Sequence, residues 1–309
     1  MNIKGVAIIG AAIATTLAGC TTAIAQSVAC DARCLEEIGQ QYRAAYRAHD
    51  KSAAPFAQDV RYTENNIEMP FPDGTWDTVS TEPGPPVMLS DPSTGNVAIF
   101  TTITQDEIEG FLAIRLHVDD ERRIDEVEHI VSTKRNLSSP PTPIGSIDGY
   151  RPLDLWTEIV PEDERLSRAE LAAHANGYFD TLQLNDGEIR GTCFRPDAIR
   201  LENGMLFDDI AGGFESGRYF FNNRVRRDIV MVDERRQVAI GRGFIDHKGV
   251  LNEYTLTDGS QARSIFQEPQ SWGLLEAFRV TDGCIGSVLA TFYQAPYYQR
   301  SPWTPASGQ

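Results

Sequence analysis

LEEIGQQYRAAYRAHDKSAAPFAQDVRYTENN, residues 35–66, is the stretch that decides the fold, because the chain carries a second version of it. That version is LAAHANGYFDTLQLNDGEIRGTCFRPDAIRLENG, residues 171–204. The ungapped matches are Leu35 with Leu171, Tyr42 with Tyr178, and Asp50 with Asp186. After two inserted residues, the matches are Asp59 with Asp197, Glu64 with Glu202, and Asn65 with Asn203. A repeated block of this length indicates an internal duplication.

Later segments of the chain repeat in the same order. Residues 97–99 match 238–240, and residues 111–127 parallel 273–288. Between the copies lies SSPPTPIG, residues 138–145, whose prolines disfavour regular structure. We therefore expect a first copy over 30–135, a Pro-rich linker over 136–162, a second copy over 163–296 and a tail over 297–309.

Each copy is expected to open with a helix. The apolar positions of the first copy fall on one helical stripe, formed by Leu35, Ile38, Tyr42, Ala45 and Tyr46. Asp31 is suited to cap this helix, and Ser167 with Glu170 has the form of a capping box at the start of the second. A short second helix should follow in each copy.

Strands are predicted after the helices. The alternating runs are 97–104, 109–119 and 123–133 in the first copy, and 197–203, 215–232, 236–247, 250–257, 272–281 and 285–293 in the second. Helices first and antiparallel strands afterwards indicate an α+β fold and exclude a doubly wound parallel sheet. Two long loops, near 80–95 and 258–271, are either pocket rims or surface excursions.

The N-terminus has the form of an export signal. Lys4 precedes an apolar run over residues 5–19, which is too short to span a bilayer comfortably. Two cleavage sites compete within the predicted signal peptide, residues 1–25. Leu17-Ala18-Gly19-Cys20 resembles a lipobox, with lipidation at Cys20, whereas 23–25 is an ordinary cleavage site before Gln26. We expect a periplasmic protein or an outer-membrane lipoprotein.

Four further cysteines fit an oxidising compartment. Cys30 and Cys34 are one helical turn apart, about 6 Å at Cα, which permits a disulfide. Cys193 and Cys284 would then form a second disulfide. Four free thiols are the alternative. The cysteines and the five histidines lack metal-ligand spacing, so no metal is expected.

The composition of the chain limits the classes of partner that it can bind. The chain is 41% hydrophobic and 23% charged, so it can form packed cores. Its net charge of −16 argues against a nucleic-acid partner, because phosphate binding requires a basic surface.

The segment YRAAYRAHDKSAAPFAQDVRYTEN, residues 42–65, resembles the opening of the nuclear-transport-factor-2-like (NTF2-like) superfamily. That superfamily includes ketosteroid isomerases, scytalone dehydratases, limonene epoxide hydrolases and SnoaL-like polyketide cyclases. The whole chain also resembles an uncharacterised two-copy group of secreted proteins. The resemblance implies two cone-shaped domains, each a curved antiparallel sheet wrapped around N-terminal helices and enclosing an apolar pocket. Fold alone does not settle function.

Comparison with the ketosteroid isomerases implies a catalytic set in the second copy. Tyr178 takes the place of the oxyanion-binding tyrosine, Glu202 that of the base, and Glu276 that of the second acid. In the first copy Tyr42 and Glu64 are retained, but Ile114 replaces the second acid. A carboxylate in a dry pocket can abstract a proton beside a carbonyl, while a tyrosine and a neutral acid stabilise the enolate. Since Glu stands where the family has Asp, the pocket or the substrate must differ.

Several other residues are candidates for substrate binding, each with a structural alternative. The set is Tyr42, Tyr62, Glu64, Trp76, His129, Arg224 and Trp272. The aromatic residues could instead form core, and Glu64 and Glu202 could bond to the turns that follow them. His129 is either an acid–base group or a packed histidine. Arg224 could hold an anionic substrate, pair with Glu202 or lie on a solvated strand face, and a turn role is expected for His247.

Two functions compete at this stage. The first is an exported, cofactor-independent isomerase, dehydratase or lyase that acts on an apolar or aromatic small molecule through carboxylate acid–base chemistry. The second is a non-catalytic envelope protein that binds a small ligand or a partner. Either function is compatible with a monomer that contains an internal pseudo-dimer, or with a homodimer.

Overall fold

The computed structural model describes Met1 and residues 30–133, 142–152, 154–249, 252–264, 266 and 268–304. Residues 2–25 of the predicted signal peptide, which include Cys20, and residues 136–141 and 153 of the predicted linker therefore lie outside the described residues. Within the described residues, none of the helices has the length and apolar character needed to cross a bilayer.

The first copy is a helix followed by a six-stranded sheet in the order β2-β1-β6-β5-β4-β3. Its elements are α1 (Ala32–Ala48), β1 (Phe56–Glu64), β2 (Ile67–Met69), α2 (Thr75–Thr78), β3 (Val87–Asp91), β4 (Asn96–Gln105), β5 (Ile108–Val118) and β6 (Ile124–Thr133). The α+β prediction is confirmed.

The second copy repeats this plan, with its sheet in the order β8-β7-β14-β13-β10-β9. Its elements are α3 (Arg168–Leu184), β7 (Phe194–Glu202), β8 (Met205–Phe207), α4 (Ile210–Glu215), β9 (Arg224–Asp233), β10 (Val238–His247), β11 (Glu253–Thr255), β12 (Gln261–Arg263), β13 (Gln270–Thr281) and β14 (Cys284–Pro296). The pair β11–β12 forms a small separate sheet.

Both long helices begin where the sequence predicts. The Asp31 side chain accepts a hydrogen bond of 2.9 Å from the Cys34 amide at the start of α1. At α3, Ser167 and Glu170 form a complete capping box. The predicted apolar stripe of α1 is buried from Leu35 to Tyr46. Caps and stripe together fix the helix on one face of its sheet.

The sheets are mixed rather than wholly antiparallel. Within each six-stranded sheet one pairing is parallel, β1 with β6 in the first copy and β7 with β14 in the second. After β2 and α2 the chain crosses to the far edge at β3. Three antiparallel steps then bring β6 back beside β1, running in the same direction.

Three segments differ from their predicted structure. The run over 215–232 contains the end of α4 and a turn, and β9 begins only at Arg224. Gly217 has a φ of 71°, a left-handed conformation that interrupts extended structure. Of the run over 250–257, the structure describes residues 252–257, in which β11 is the strand, and the loop predicted near 80–95 contains the edge strand β3.

An asparagine in each copy joins the first strand to the last. Asn65 and Asn203 follow β1 and β7 with φ of 50° and 44°. The Asn65 side chain donates to the Val131 carbonyl at 3.1 Å and accepts from the Val131 amide at 2.8 Å. Asn203 makes the same pair of bonds with Phe292, at 2.8 and 3.1 Å. These bonds give a structural reason for the asparagine in the repeated Glu-Asn pair.

The two copies pack sheet against sheet. Each sheet carries a helix-side core on one face, and the opposite faces share a third core. That shared core includes Phe100 and Ile130 from the first copy, Ile240 and Leu275 from the second, and Trp156 from the linker. An internal interface thus covers one face of each sheet.

A buried ionic cluster crosses this interface. Glu128 is fully buried and accepts hydrogen bonds from Arg115 of its own copy and from Arg242 of the other, at 2.9 and 2.6 Å for the two Nε atoms. Trp303, after β14, lies 4.7 Å from the Arg115 guanidinium and donates to Thr63 at 2.9 Å. The tail after β14 therefore packs against the ionic cluster.

Both predicted disulfides are formed. Cys30 and Cys34 are 5.3 Å apart at Cα, and Cys193 and Cys284 are 4.9 Å apart. The second bond joins the segment that enters β7 to the start of β14. Two disulfides are typical of proteins in oxidising compartments.

Glu128→Ala should lower the free energy of unfolding by about 3–5 kcal/mol, because it removes the counter-charge of buried Arg242 and one of the two carboxylates paired with Arg115. Urea denaturation followed by circular dichroism measures the change. Glu37→Ala is the control, since the Arg33–Glu37 pair is exposed and a surface pair contributes about 0–1 kcal/mol. Equal effects of the two substitutions would contradict the interface role of Glu128.

Candidate active site

Strand register gives a residue-by-residue correspondence between the copies. In the first copy Glu64 stands beside His129, which is paired with Ile114. In the second copy Glu202 stands beside Ala290, which is paired with Glu276. The row is therefore Glu–His–Ile in one copy and Glu–Ala–Glu in the other. This register is the same correspondence that the sequence repeat indicates for Glu64 with Glu202 and for Ile114 with Glu276.

The second copy contains a cavity of about 500 Å³. Its walls come from α3, from the β7, β10, β13 and β14 strands, and from the β11–β12 hairpin. Most of the lining is apolar or aromatic, as at Leu182, Phe221, Phe266, Trp272 and Phe292. Such a lining, with a few polar groups converging on it, is typical of small-molecule sites.

Tyr178, Arg200, Glu202 and Glu276 all line this cavity. Arg200 is buried and contacts three other polar side chains that line the cavity. Its Nη1 donates to the Tyr178 hydroxyl at 3.0 Å, and its Nε lies 2.9 Å from Glu202 Oε1 as an ion pair without hydrogen-bond alignment. Arg200 Nη2 donates to the Tyr219 hydroxyl at 2.7 Å.

Glu276 is a buried acid with apolar neighbours on both sides along β13, from Leu274 to Phe278, and 2% of its surface is exposed. Burial raises its pKa to about 8, and the nearby charge of Glu202 adds to this effect. Arg200 and a hydrogen bond from Tyr178 act in the opposite direction. At neutral pH the Glu276 carboxyl is therefore mostly protonated and can donate a hydrogen bond.

Tyr178 is a second neutral donor. Burial raises the pKa of its hydroxyl well above the usual value, so the phenol keeps its proton. Because its oxygen already accepts a bond from Arg200, its hydrogen is free for Glu276 or a ligand. The cavity thus presents two uncharged donors beside one ion-paired carboxylate.

The first copy has the corresponding groups in a filled core. The Tyr42 hydroxyl bonds to His129 Nε2 at 2.7 Å, and Tyr62 donates to Glu64 at 3.0 Å. Trp76 is 1% exposed and packs edge-on against Tyr42, with ring centres 5.6 Å apart. These side chains form core rather than the aromatic pocket proposed for them.

Glu64 is a structural carboxylate. Burial raises its pKa, but hydrogen bonds from His129 and Thr75 and the charge of His129 outweigh burial, so the net shift is downward. The Thr75 amide, in the stretch that follows β2, donates to Glu64 at 2.8 Å. This bond to a following segment matches the structural alternative for Glu64.

The two remaining candidates, Trp272 and Arg224, lie in different places. Trp272 lines the cavity, and its role in substrate binding stays a prediction. Arg224 does not line the cavity, because its guanidinium lies 5.0 Å from the ring of Tyr298 in the tail. The arginine that pairs with Glu202 is Arg200, which sequence reasoning overlooked. Its position two residues before Glu202 on one strand puts both on the same face, and that spacing could have revealed it.

His247 is a cavity residue that was assigned only a turn role. It stacks on Phe266 with ring centres 3.8 Å apart, and its Nε2 lies 2.8 Å from Asn222 Oδ1. Burial lowers its pKa to about 3, so the ring is neutral at physiological pH. The pattern Asp-His-Lys-Gly does mark the end of β10, but the segment that covers the ring comes later in the chain.

That covering segment distinguishes the two copies. In the first copy only Asp106 and Glu107 separate β4 from β5, whereas residues 248–269 separate β10 from β13 in the second. This insertion contains the β11–β12 hairpin and contributes Tyr254 and Phe266 to the cavity. In the loop predicted near 258–271, Ala262, Arg263 and Phe266 line the cavity.

One family model and several solved structures match parts of the chain. Residues 164–292 match a family model described as a domain of unknown function, DUF8021. No curated protein matches the chain. Among solved structures, AclR of Streptomyces galilaeus, a proposed hydroxylase, is 16% identical over 41% of this chain and 90% of its own, with a TM-score of 0.29.

Two further structures show similar likeness. IdmH of Streptomyces antibioticus, a proposed polyketide cyclase, is 17% identical over 40% of this chain and 91% of its own, with a TM-score of 0.28. An NTF2-like protein of Cytophaga hutchinsonii is 11% identical over 41% and 98%, with a TM-score of 0.27. These values carry no information about substrate or reaction. The helix-then-sheet plan of each copy is the α+β plan expected from the sequence.

Metal ligands do not cluster in the part of the chain that the structure describes. No group of three histidine, cysteine or acidic side chains is placed there to hold an ion. Within the cavity, Arg200 instead contacts Tyr178, Glu202 and Tyr219.

Glu276→Gln should change how stability depends on pH. In the unfolded chain the carboxyl has its ordinary pKa of 4.5, and in the folded chain a pKa of about 8. Between these values only the folded state holds the proton, so the free energy of unfolding falls as pH rises, by up to about 1.4 kcal/mol per unit. The glutamine variant lacks this contribution, and its stability relative to wild type should rise across that window.

Urea denaturation at several pH values between 5 and 8 measures this difference. Glu188→Gln, at a side chain with 76% exposure, is the control and should follow the wild-type profile. A constant difference between Glu276→Gln and wild type at every pH would rule out a raised pKa at Glu276.

Proposed function

We propose that the second copy is the active domain of an exported, cofactor-independent enzyme of the isomerase, dehydratase or lyase type, acting on an apolar or aromatic small molecule. One observation carries the proposal. A protonated carboxyl group, Glu276, and a neutral tyrosine, Tyr178, line the same apolar cavity as an ion-paired carboxylate, Glu202. The size of this cavity and its mostly apolar lining support a small-molecule role.

In the proposed reaction, Glu202 is the general base. Its carboxylate takes a proton from a carbon next to a substrate carbonyl. As negative charge develops on the carbonyl oxygen, Tyr178 and Glu276 donate hydrogen bonds to it, and the apolar walls strengthen these bonds. The proton then returns to another carbon in an isomerisation, or the electron pair expels a leaving group in an elimination.

Arg200 is a positioning residue in this scheme. It donates to the Tyr178 oxygen and lies in ion-pair contact with Glu202. A donor bound to the phenol oxygen polarises the hydroxyl and strengthens the bond it donates. Arg200 thereby aligns the base and the first oxyanion donor relative to each other.

Localisation and organisation belong to the same proposal. The N-terminal sequence and the two disulfides support export to the periplasm, with either a lipid anchor at Cys20 or a free start at Gln26. The domain limits are 30–135 and 163–296, with the linker 136–162 between them and the tail 297–309 after them. The internal sheet-to-sheet interface supports a chain that works as its own pseudo-dimer.

Proton abstraction can be tested without knowing the full reaction. The full-length protein is incubated in deuterium oxide with acetophenone, indanone or β-tetralone, and NMR follows exchange of the hydrogens beside the carbonyl. Wild type should accelerate exchange of at least one ketone. Glu202→Gln should reduce that acceleration about a hundredfold or more, the scale of general-base catalysis.

Glu64→Gln is the matched control, because it changes the equivalent row of the first copy. The Glu64→Gln protein should accelerate exchange of the ketone hydrogens as much as wild type does. Equal rates for Glu202→Gln and wild type would contradict Glu202 as the base. Ketone binding without exchange would favour the alternative, a non-catalytic protein that binds small ligands.

A further inference from the structure

Two exposed arginines stand at the edge of the cavity. Arg218 follows α4, and Arg263 ends β12. Both line the cavity that Glu202 and Glu276 also line. Two cationic side chains therefore belong to the lining of a space whose walls are mostly apolar.

Neither arginine has a carboxylate within ion-pair distance among the residues that the structure describes. Their neighbours in the second copy do have such partners, Arg226 at Asp246 and Arg227 at Asp180. The chain has 44 acidic and 28 basic residues, so acidic partners are abundant. Two arginines without one, on the rim of a single cavity, are available to bind an anion.

Hydrogen bonds join the two segments that carry these arginines. Tyr254 on β11 donates to the Arg218 carbonyl at 2.7 Å, and the Thr257 amide donates to the Ser216 carbonyl at 3.1 Å. These bonds tie the hairpin that carries Arg263 to the segment that carries Arg218. Since the first copy has only a tight turn here, the insertion brings both an apolar wall and a cation to the second copy.

The charged groups inside the cavity already balance each other. Arg200 and Glu202 form an ion pair, and Tyr178 and Glu276 are neutral donors. An anionic group of a ligand is therefore best placed at the rim, with its apolar body inside.

We propose that the ligand of this cavity is an organic acid, an apolar body of aromatic size whose carboxylate is bound at the mouth by Arg218 and Arg263. The two arginines are specificity determinants, and they orient the ligand with its far end toward Glu202 and Glu276. This inference rests on the proposed function only for the position of the reacting end. Binding of the carboxylate is independent of any chemistry.

β-Naphthoate and β-naphthamide are matched probes, because they differ in charge and hardly in shape. Isothermal titration calorimetry on the full-length protein should give a Kd for the naphthoate at least about tenfold below that for the amide. The double variant R218Q/R263Q should abolish this preference. R218K/R263K keeps both charges and should retain part of the preference.

R300Q is the control, because Arg300 is exposed and lies outside the cavity lining. It should behave as wild type. The proposal is overturned if wild type shows no preference for the naphthoate, if R218Q/R263Q keeps the preference, or if neither probe binds. Ketone exchange that depends on Glu202 would survive any of these outcomes, so failure here is distinguishable from failure of the proposed function.

Discussion

A carboxyl group buried between apolar neighbours on its strand is the constraint around which the second copy is organised. An ionised carboxylate without a partner is costly in such a place, and the charge that could compensate Glu276, Arg200, is already paired with Glu202. Protonation resolves the conflict for Glu276. One of the two carboxyl groups then carries the negative charge and the other carries a proton, which is the division of roles that acid–base catalysis requires.

Duplication explains how this arrangement can coexist with a stable fold. Each copy has a capped long helix and an asparagine bridge that support the scaffold, and each has a tyrosine on that helix. The copies differ in what occupies the space beside the tyrosine. Trp76 and its aromatic neighbours fill it in the first copy, whereas the second copy is hollow and carries the hairpin insertion. We infer that the first copy supports and covers the sheet of the second.

Much of the scaffold could be predicted from sequence because its signals are local or repeated. Capping residues and the apolar stripe of α1 act within a few positions of one another, and the duplication supplied the correspondence of Glu202 with Glu64 and of Glu276 with Ile114. The parallel pairing of first and last strands could not be predicted, since it depends on where the chain re-enters the sheet. Likewise, the burial of His247 and the filling of the first copy by Trp76 depend on segments distant in sequence. Arg200 was overlooked although strand alternation placed it beside Glu202.

The protonation state of Glu276 is the central claim, and carbon NMR of protein labelled at the glutamate carboxyl carbon tests it directly. Titration of wild type and Glu276→Gln from acidic to alkaline pH identifies the signal of this one group by its absence from the variant. The account predicts a carboxyl carbon that titrates with a pKa of about 8. If the Glu276 signal has already completed its titration below neutral pH, the group is an ordinary carboxylate and the account is contradicted.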